Sequence, residues 1–268
     1  VRERLAAGGL FCQWLPVYQL DVEMPRIIVR TFLAVYPDAE LWFAGFDTGY
    51  PALGLIGGAE LPRGDPANFR RRLAEGRRLE ADLRSAAMEN IVQYAGHQLA
   101  DRAMLQDWAG GGALNTDDYP RTLFDAARFT YQRGLPPWRS LRELSRQLDG
   151  ARPASAYAPR LSDHQRTRLT GFLAARDAYL AAQMQGLGDE ARVAAFTRIA
   201  GDSADFTYAY AHAASLALKR AGRQPLLASE WLQALVRARP ENPVAARLLG
   251  RIGNARAAGR ASGSAGAR

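Results

Sequence analysis

The stretch LAAGGLFCQWLPVYQLD, residues 5–21, decides how the rest of the chain is read. After the Gly8-Gly9 turn, GLFCQWL is a continuous apolar run of strand length, broken only by Gln13. Such a run is expected of a buried strand in a mainly parallel sheet. Asp21 then stands where a helix N-cap belongs, and Met24, Ile27, Ile28, Phe32 and Val35 recur at helical spacing behind it. Pro25 falls in the first turn, where a missing N–H is tolerated. Pro37 turns Tyr36 away from helical geometry and closes the segment. A strand followed by such a helix is the middle of an α/β unit, so it calls for further strands beside it.

Working outward, AELWFAGF (39–46) and ALGLIGG (52–58) read as two more strands, which makes the first 60 residues β-α-β-β. From 65 to 108 the pattern is helical. Asp65 and Pro66 form a cap and first-turn pair, and spans 67–75, 79–95 and 97–108 are separated at Gly76 and Gly96. Residues 109–129 read as a turn-rich connection ending in a short extended piece. Prolines 136, 137, 153 and 159 mark a linker at 134–160 containing one helix near 139–148. Beyond it the chain becomes alanine-rich, with helices expected at 161–185, 188–200, 203–221, 225–239 and 241–257. Within 228–250, a helix, a Pro-Glu-Asn-Pro turn and a second helix resemble the joint between tetratricopeptide-type repeats. The expected organisation is therefore an α/β domain at 1–133, the linker, a helical repeat-like region at 161–257, and a Gly/Ser/Ala-rich disordered tail at 258–268.

Composition narrows the function. With 48% hydrophobic and 23% charged residues the chain has the make-up of a globular protein, long enough for one large or two modest cores. No apolar run approaches the roughly 18 residues that span a bilayer. Arg2, Glu3 and Arg4 precede only a short apolar segment, unlike a secretory leader. The single cysteine, Cys12, has no partner for a disulfide or a zinc site, and a reducing cytoplasmic setting is expected. The net charge of +8 is almost all arginine, with Lys219 the sole lysine. The arginines are interspersed with acids, as in FRRRLAEGRRLE (69–80), without aromatic platforms between them. That pattern reads as GC-rich coding rather than nucleic-acid binding.

The common catalytic signatures are missing: there is no GxGxxG, P-loop, HExxH or nucleophile elbow. His97, His164 and His212 lie far apart with no metal-ligand spacing around them. Cys12 sits inside the expected buried strand and reads as core filling. Two stretches remain. Gln13 breaks the first strand near its carboxyl end, which is where open α/β sheets bind ligands; a buried polar residue there needs either a structural partner or a crevice. In LNTDDYPRTLF (114–124), Asp117 and Asp118 before Pro120 suit an Asx turn, the commoner use of such residues, or a site for a cationic amine.

Taken together, RERLAAGGLFCQWLP, IIVRTFLAVYPDAELW, LGLIGG and LNTDDYPRTLF occur in an order that resembles the carboxyl half of spermidine synthase-like proteins. In particular they resemble the bacterial group in which this domain follows a membrane region. The matching features are Leu5–Gly9 before the strand, Gln13 within it, Val35–Pro37 ending the helix, and Asn115–Pro120. The likeness covers residues 1–130, and helical tetratricopeptide-like extensions also occur in this group. The resemblance implies the carboxyl half of a Rossmann-like sheet that binds decarboxylated S-adenosylmethionine and passes its aminopropyl group to a polyamine such as putrescine, with no metal. It implies that the nucleotide loop, the ribose-binding acid and the general base lie upstream of Val1, so this chain contributes no catalytic residue. Gln13 matches the pocket glutamine, and Tyr50 in DTGYPALG is similar to the tyrosine that contacts the amine, with Gly49 altering the spacing. Asp117 and Asp118 complete the expected substrate-binding set.

Two other readings stay open. One is a different S-adenosylmethionine-dependent transferase on the same fold, since fold does not fix chemistry. The other is a non-catalytic module whose helical region binds a protein partner. Either accommodates homo-oligomers formed through an unpaired strand edge, and a membrane region upstream would place the chain on the cytoplasmic face of the membrane.

Overall fold

The structure is a computed structural model; it describes residues 1–61, 65–131, 135–149 and 157–265, with the side chains of 149 and 255–265 excepted. The chain divides into two compact units, Val1–Leu169 and Thr170–Arg268. The part of the expected linker that contains Pro153 lies outside the described residues.

The first unit is built on a four-stranded sheet in the order β1-β3-β2-β4. Its strands are β1 (Leu10–Pro16), β2 (Asp38–Phe43), β3 (Ala52–Gly58) and β4 (Gln98–Ala100), and each adjacent pair is antiparallel. The expected mainly parallel neighbourhood of β1 is thus corrected. β1 and β2 do run in the same direction, joined by helix α1 (Met24–Val35), but β3 is inserted antiparallel between them. β1 is also not buried on both faces. It is the edge strand, with Leu10 49% and Trp14 55% exposed and Cys12 exposed. Continuous hydrophobicity signalled a strand with two covered faces, whereas one face of β1 is open.

Strand alternation sorts the residues between the faces. Phe11 stacks on Phe32 and Tyr36 of the α1 segment, so Phe11, Gln13 and Leu15 share the α1 face. The register places Leu53, Leu55, Leu41, Phe43 and Ala39 beside them, all buried. Each large side chain buried there is worth about 1.5–3 kcal/mol. Gly57 lets α1 approach: a methyl there would lie 2.6 Å from Phe32 Cε1 and 2.7 Å from Tyr36 Cβ. α1 starts as expected, with the Asp21 carboxylate accepting from the N–H groups of Glu23 and Met24 at 2.9 and 2.7 Å.

The helical stretch after β3 is α2 (Pro66–Glu75), capped by Asp65, then α3 (Arg77–Ser85), α4 (Ile91–Gly96) capped by Asn90, and α5 (Arg102–Ala109) capped by Asp101. Ala87, with φ of 54°, breaks the expected 79–95 helix. β4 interrupts the expected helix at 97–108 because Gln98 and Ala100 pair with β2. After α5 the chain crosses the outer surface of α1, where Arg30 donates to the carbonyls of Ala109 and Ala113 at 2.9 and 3.2 Å. It then forms α6 (Arg121–Thr130) where a short extended piece was expected. α7 (Arg139–Asp149) buries Leu141, Leu144 and Leu148. Gln147 Oε1 accepts from both Arg26 and Trp108 at 2.9 Å, tying α7 to α1 and α5.

The remaining chain is helical, as the alanine-rich composition indicates: α8 (Asp163–Met184), α9 (Asp189–Asp202), α10 (Thr207–Ala221), α11 (Pro225–Ala238) and α12 (Pro243–Ala265). α8 begins in the first unit and continues into the second. In the second unit α9, α10, α11 and α12 pack in sequence, and α9 also meets α11. Phe172, Phe196, Phe206, Ile199, Leu232 and Leu235 form its core. Fully buried Ala209, Ala213 and Ala217 let α10 come close to its neighbours. The Tyr210 hydroxyl accepts from the N–H of Ala245 at 3.0 Å and pins the start of α12. Of the tail expected to be disordered, 258–265 continue α12, and 266–268 lie outside the described residues.

Candidate functional site

Of the residues singled out by sequence, Gln13 lies midway along β1 and Tyr50 in the loop beyond the carboxyl end of β2. β1 leads into a 3-10 turn, Val17–Gln19, and β2 into the loop Ala44–Pro51 before β3. In that loop the Asp47 carboxylate accepts from the Gly49 N–H at 2.7 Å, and Thr48 is buried, so the turn is set by its own residues. Tyr50 projects from it, 73% exposed, with its ring edge-on to Tyr18 at 5.6 Å between centroids. Tyr18 was not anticipated; the only signal was an aromatic residue two positions after Pro16 at a strand end. Gln13 lies three positions back along β1 from Pro16, exposed, with its amide donating to the Trp14 carbonyl at 3.0 Å. Gln13 thus lies on the edge strand and Tyr50 beside Tyr18 beyond the strand end, each presenting a neutral polar group able to bond a protonated amine.

Asp117 and Asp118 are not brought to that place. They are exposed at the tip of a turn closed by Thr116 and Tyr119, whose backbone groups exchange bonds at 3.3 and 3.1 Å. Among the described residues no hydrogen bond or ion pair joins either aspartate to Gln13 or Tyr50. The residue that works in this motif is Asn115. Its N–H donates to Thr31 Oγ1 on α1 at 2.8 Å, and its side-chain oxygen accepts from Thr122 N and Oγ1 at 3.0 Å. Turn formation is the use the structure makes of this stretch.

On the other face of the sheet is a cluster the sequence reading passed over. Glu40 on β2 accepts from Trp42 Nε1 at 3.0 Å, with the Gln98 side chain beside it. Trp42 is covered by Tyr94 at 4.8 Å and by Tyr157 at 6.0 Å. Burial pushes the Glu40 carboxyl up to about 6; the Trp42 bond opposes this, and Asp38 and Asp101 add to it. Tyr94 and Tyr157 are raised as well, first by burial. The signal available in the sequence was a lone acid between apolar neighbours in a strand, AELWF. Across the same face, Cys12 faces the space beside Gly54, whose added methyl would lie 3.4 Å from its sulfur. Its thiol is accordingly raised by partial burial although the residue is exposed.

Two of the three histidines, His97 and His212, play structural parts. Buried His97 bonds the Gln93 carbonyl at 2.8 Å, and His212 bonds the Tyr179 hydroxyl at 2.8 Å. Among the described residues no group of three or more His, Cys, Asp or Glu is placed to hold a metal ion. No helix among them is long and apolar enough to cross a membrane. No family model, curated protein or solved structure matches the chain.

Proposed function

We propose that this chain is the carboxyl-terminal part of a spermidine synthase-like transferase, built on a Rossmann-like sheet and acting on a polyamine. The observation that carries the reading is topological. Two co-directional strands are joined by a helix, a third is inserted antiparallel between them, and Tyr18 and Tyr50 meet beyond the carboxyl ends, with Gln13 midway along β1. In such sheets that end faces the ligand. The exposed edge at β1 supports the same reading, because a further strand pairing there extends the sheet toward a nucleotide-binding half.

In the reaction proposed, the neutral amine nitrogen of putrescine attacks the propyl carbon beside the sulfonium of decarboxylated S-adenosylmethionine. The carbon–sulfur bond breaks, methylthioadenosine leaves, and the amine gives up a proton to a base. Gln13 and Tyr50 hold and orient the amine, while the base and nucleotide site belong to strands beyond β1. The test is methylthioadenosine release from decarboxylated S-adenosylmethionine and putrescine by the gene product isolated from its source cells. The reading expects release, reduced at least tenfold in kcat/KM by Gln13→Ala or Tyr50→Phe. No release with any amine, or consumption of intact S-adenosylmethionine instead, overturns it.

A second reading, a protein-interaction module, is favoured by one feature of the second unit. Leu218, Ala221, Pro225, Leu248 and Ile252 line an apolar groove of about 380 Å³, and Leu226 beside it is 62% exposed. The helix pairs that flank it start 36 residues apart, at 189 and 225, near the tetratricopeptide period.

A further inference from the structure

Outside the places already described, one cavity of about 350 Å³ is walled by charged side chains whose charges are largely unspent. It lies between the segment after β1, α6 and the start of α7, and its walls include Asp21, Asp125, Arg128, Phe129, Arg139 and Ser140. Two of the polar groups are committed. Asp21 caps α1 through two N–H groups, and the Ser140 hydroxyl donates to the Leu20 carbonyl. The side chains of Arg128 and Arg139 make no hydrogen bond or ion pair among the described residues, and neither does that of Asp125, although Asp125 and Arg128 are one helical turn apart on α6. Arginine forks suit carboxylates and form bidentate pairs with them. The wall therefore carries two positive and two negative charges around a space the size of a small metabolite, and of its carboxylates only Asp125 makes no hydrogen bond.

We propose that this cavity binds an acidic amino acid, with its two carboxylates on Arg128 and Arg139 and its ammonium on Asp125. Its two carboxylates match the two arginines, and its ammonium matches Asp125, with the Asp21 carboxylate on the same wall. Phe129 supplies the apolar floor for its methylene groups. The site rests on its own geometry and does not depend on the transferase reading.

Calorimetric titration of the 268-residue chain with L-glutamate tests it, with glutarate, inorganic phosphate and putrescine as comparisons. Glutamate is expected to bind one to one, and glutarate, which lacks the ammonium, about tenfold more weakly. Arg128→Gln and Arg139→Gln each weaken glutamate roughly tenfold to a hundredfold. Asp125→Asn weakens glutamate and leaves glutarate unchanged. All three positions lie on exposed side chains, and an unchanged melting temperature shows that each variant is folded; Arg128→Lys serves if Arg128→Gln is not. Absence of heat at millimolar glutamate overturns the proposal. Equal binding of glutamate and glutarate, or phosphate binding as tight as glutamate, also overturns it, by showing an unselective anion site. Putrescine binding in place of glutamate overturns it too, whereas methylthioadenosine release is unaffected by any of these results.

Discussion

Glu40 shows how far a single residue can depart from its ordinary behaviour when a sheet face closes over it. Its carboxyl has an ordinary value of 4.5 and is raised to about 6 in the fold. The folded chain therefore holds this proton more tightly than the unfolded chain does. The contribution is fully present below pH 4.5 and is lost as pH rises through 6, and the difference corresponds to about 2 kcal/mol. Glu40→Gln keeps an oxygen for Trp42 Nε1 and removes the charge. The variant should match the parent at pH 4.5 and exceed it by up to about 2 kcal/mol at pH 8. Urea denaturation at the two pH values measures this, and an identical pH dependence in both proteins would rule it out. The sequence displayed Glu40 openly, but not its surroundings, because Gln98, Tyr94 and Tyr157 come from segments distant in the chain. Gln13 was legible as a polar break in a strand, and the structure places it exposed and midway along β1; Tyr50 came from the family resemblance, and its packing against Tyr18 only from the fold.

At the scale of elements, the caps were the most readable features. Asp21 and Asp65 are local devices whose partners lie two or three residues away, and both were identified. β4 was illegible because three residues form a strand only where another strand awaits them. α6 was misread although its sequence is amphipathic: its 10 residues bury no side chain fully, and the turn signals at 115–120 lead straight into it. Asn115 is what anchors that helix. Asn115→Ala should speed amide hydrogen exchange in 122–129 severalfold, at a loss of about 1 kcal/mol. Asp117→Asn and Asp118→Asn should leave exchange and stability unchanged. A loss from either aspartate variant equal to that of Asn115→Ala would contradict the turn assignment. Gly57→Ala should destabilise by about 1–3 kcal/mol, since the added methyl meets Tyr36 Cβ as well as a movable Phe32 ring. Thermal denaturation reads this directly, and an unchanged melting temperature would show that α1 shifts freely.

For the molecule as a whole, the division into a sheet-based unit and a helical unit was visible as a change of composition. The antiparallel insertion of β3 was not, since strand order depends on contacts that periodicity does not encode. On the proposed reading the 268 residues alone should form no spermidine from decarboxylated S-adenosylmethionine and putrescine, and chromatographic detection of product would contradict this. β1 carries no charged residue to discourage strand pairing at its edge. Sedimentation should show association rising with concentration, diminished by Trp14→Lys; a monomer at all concentrations would count against an adhesive edge.

The only thiol in the chain lies on that same strand, at Cys12. It is consequently a clock fitted to the sheet margin. Its alkylation should be faster while β1 is bare than once any chain has laid itself alongside. One chemical half-life thus reports whether anything has paired with that edge.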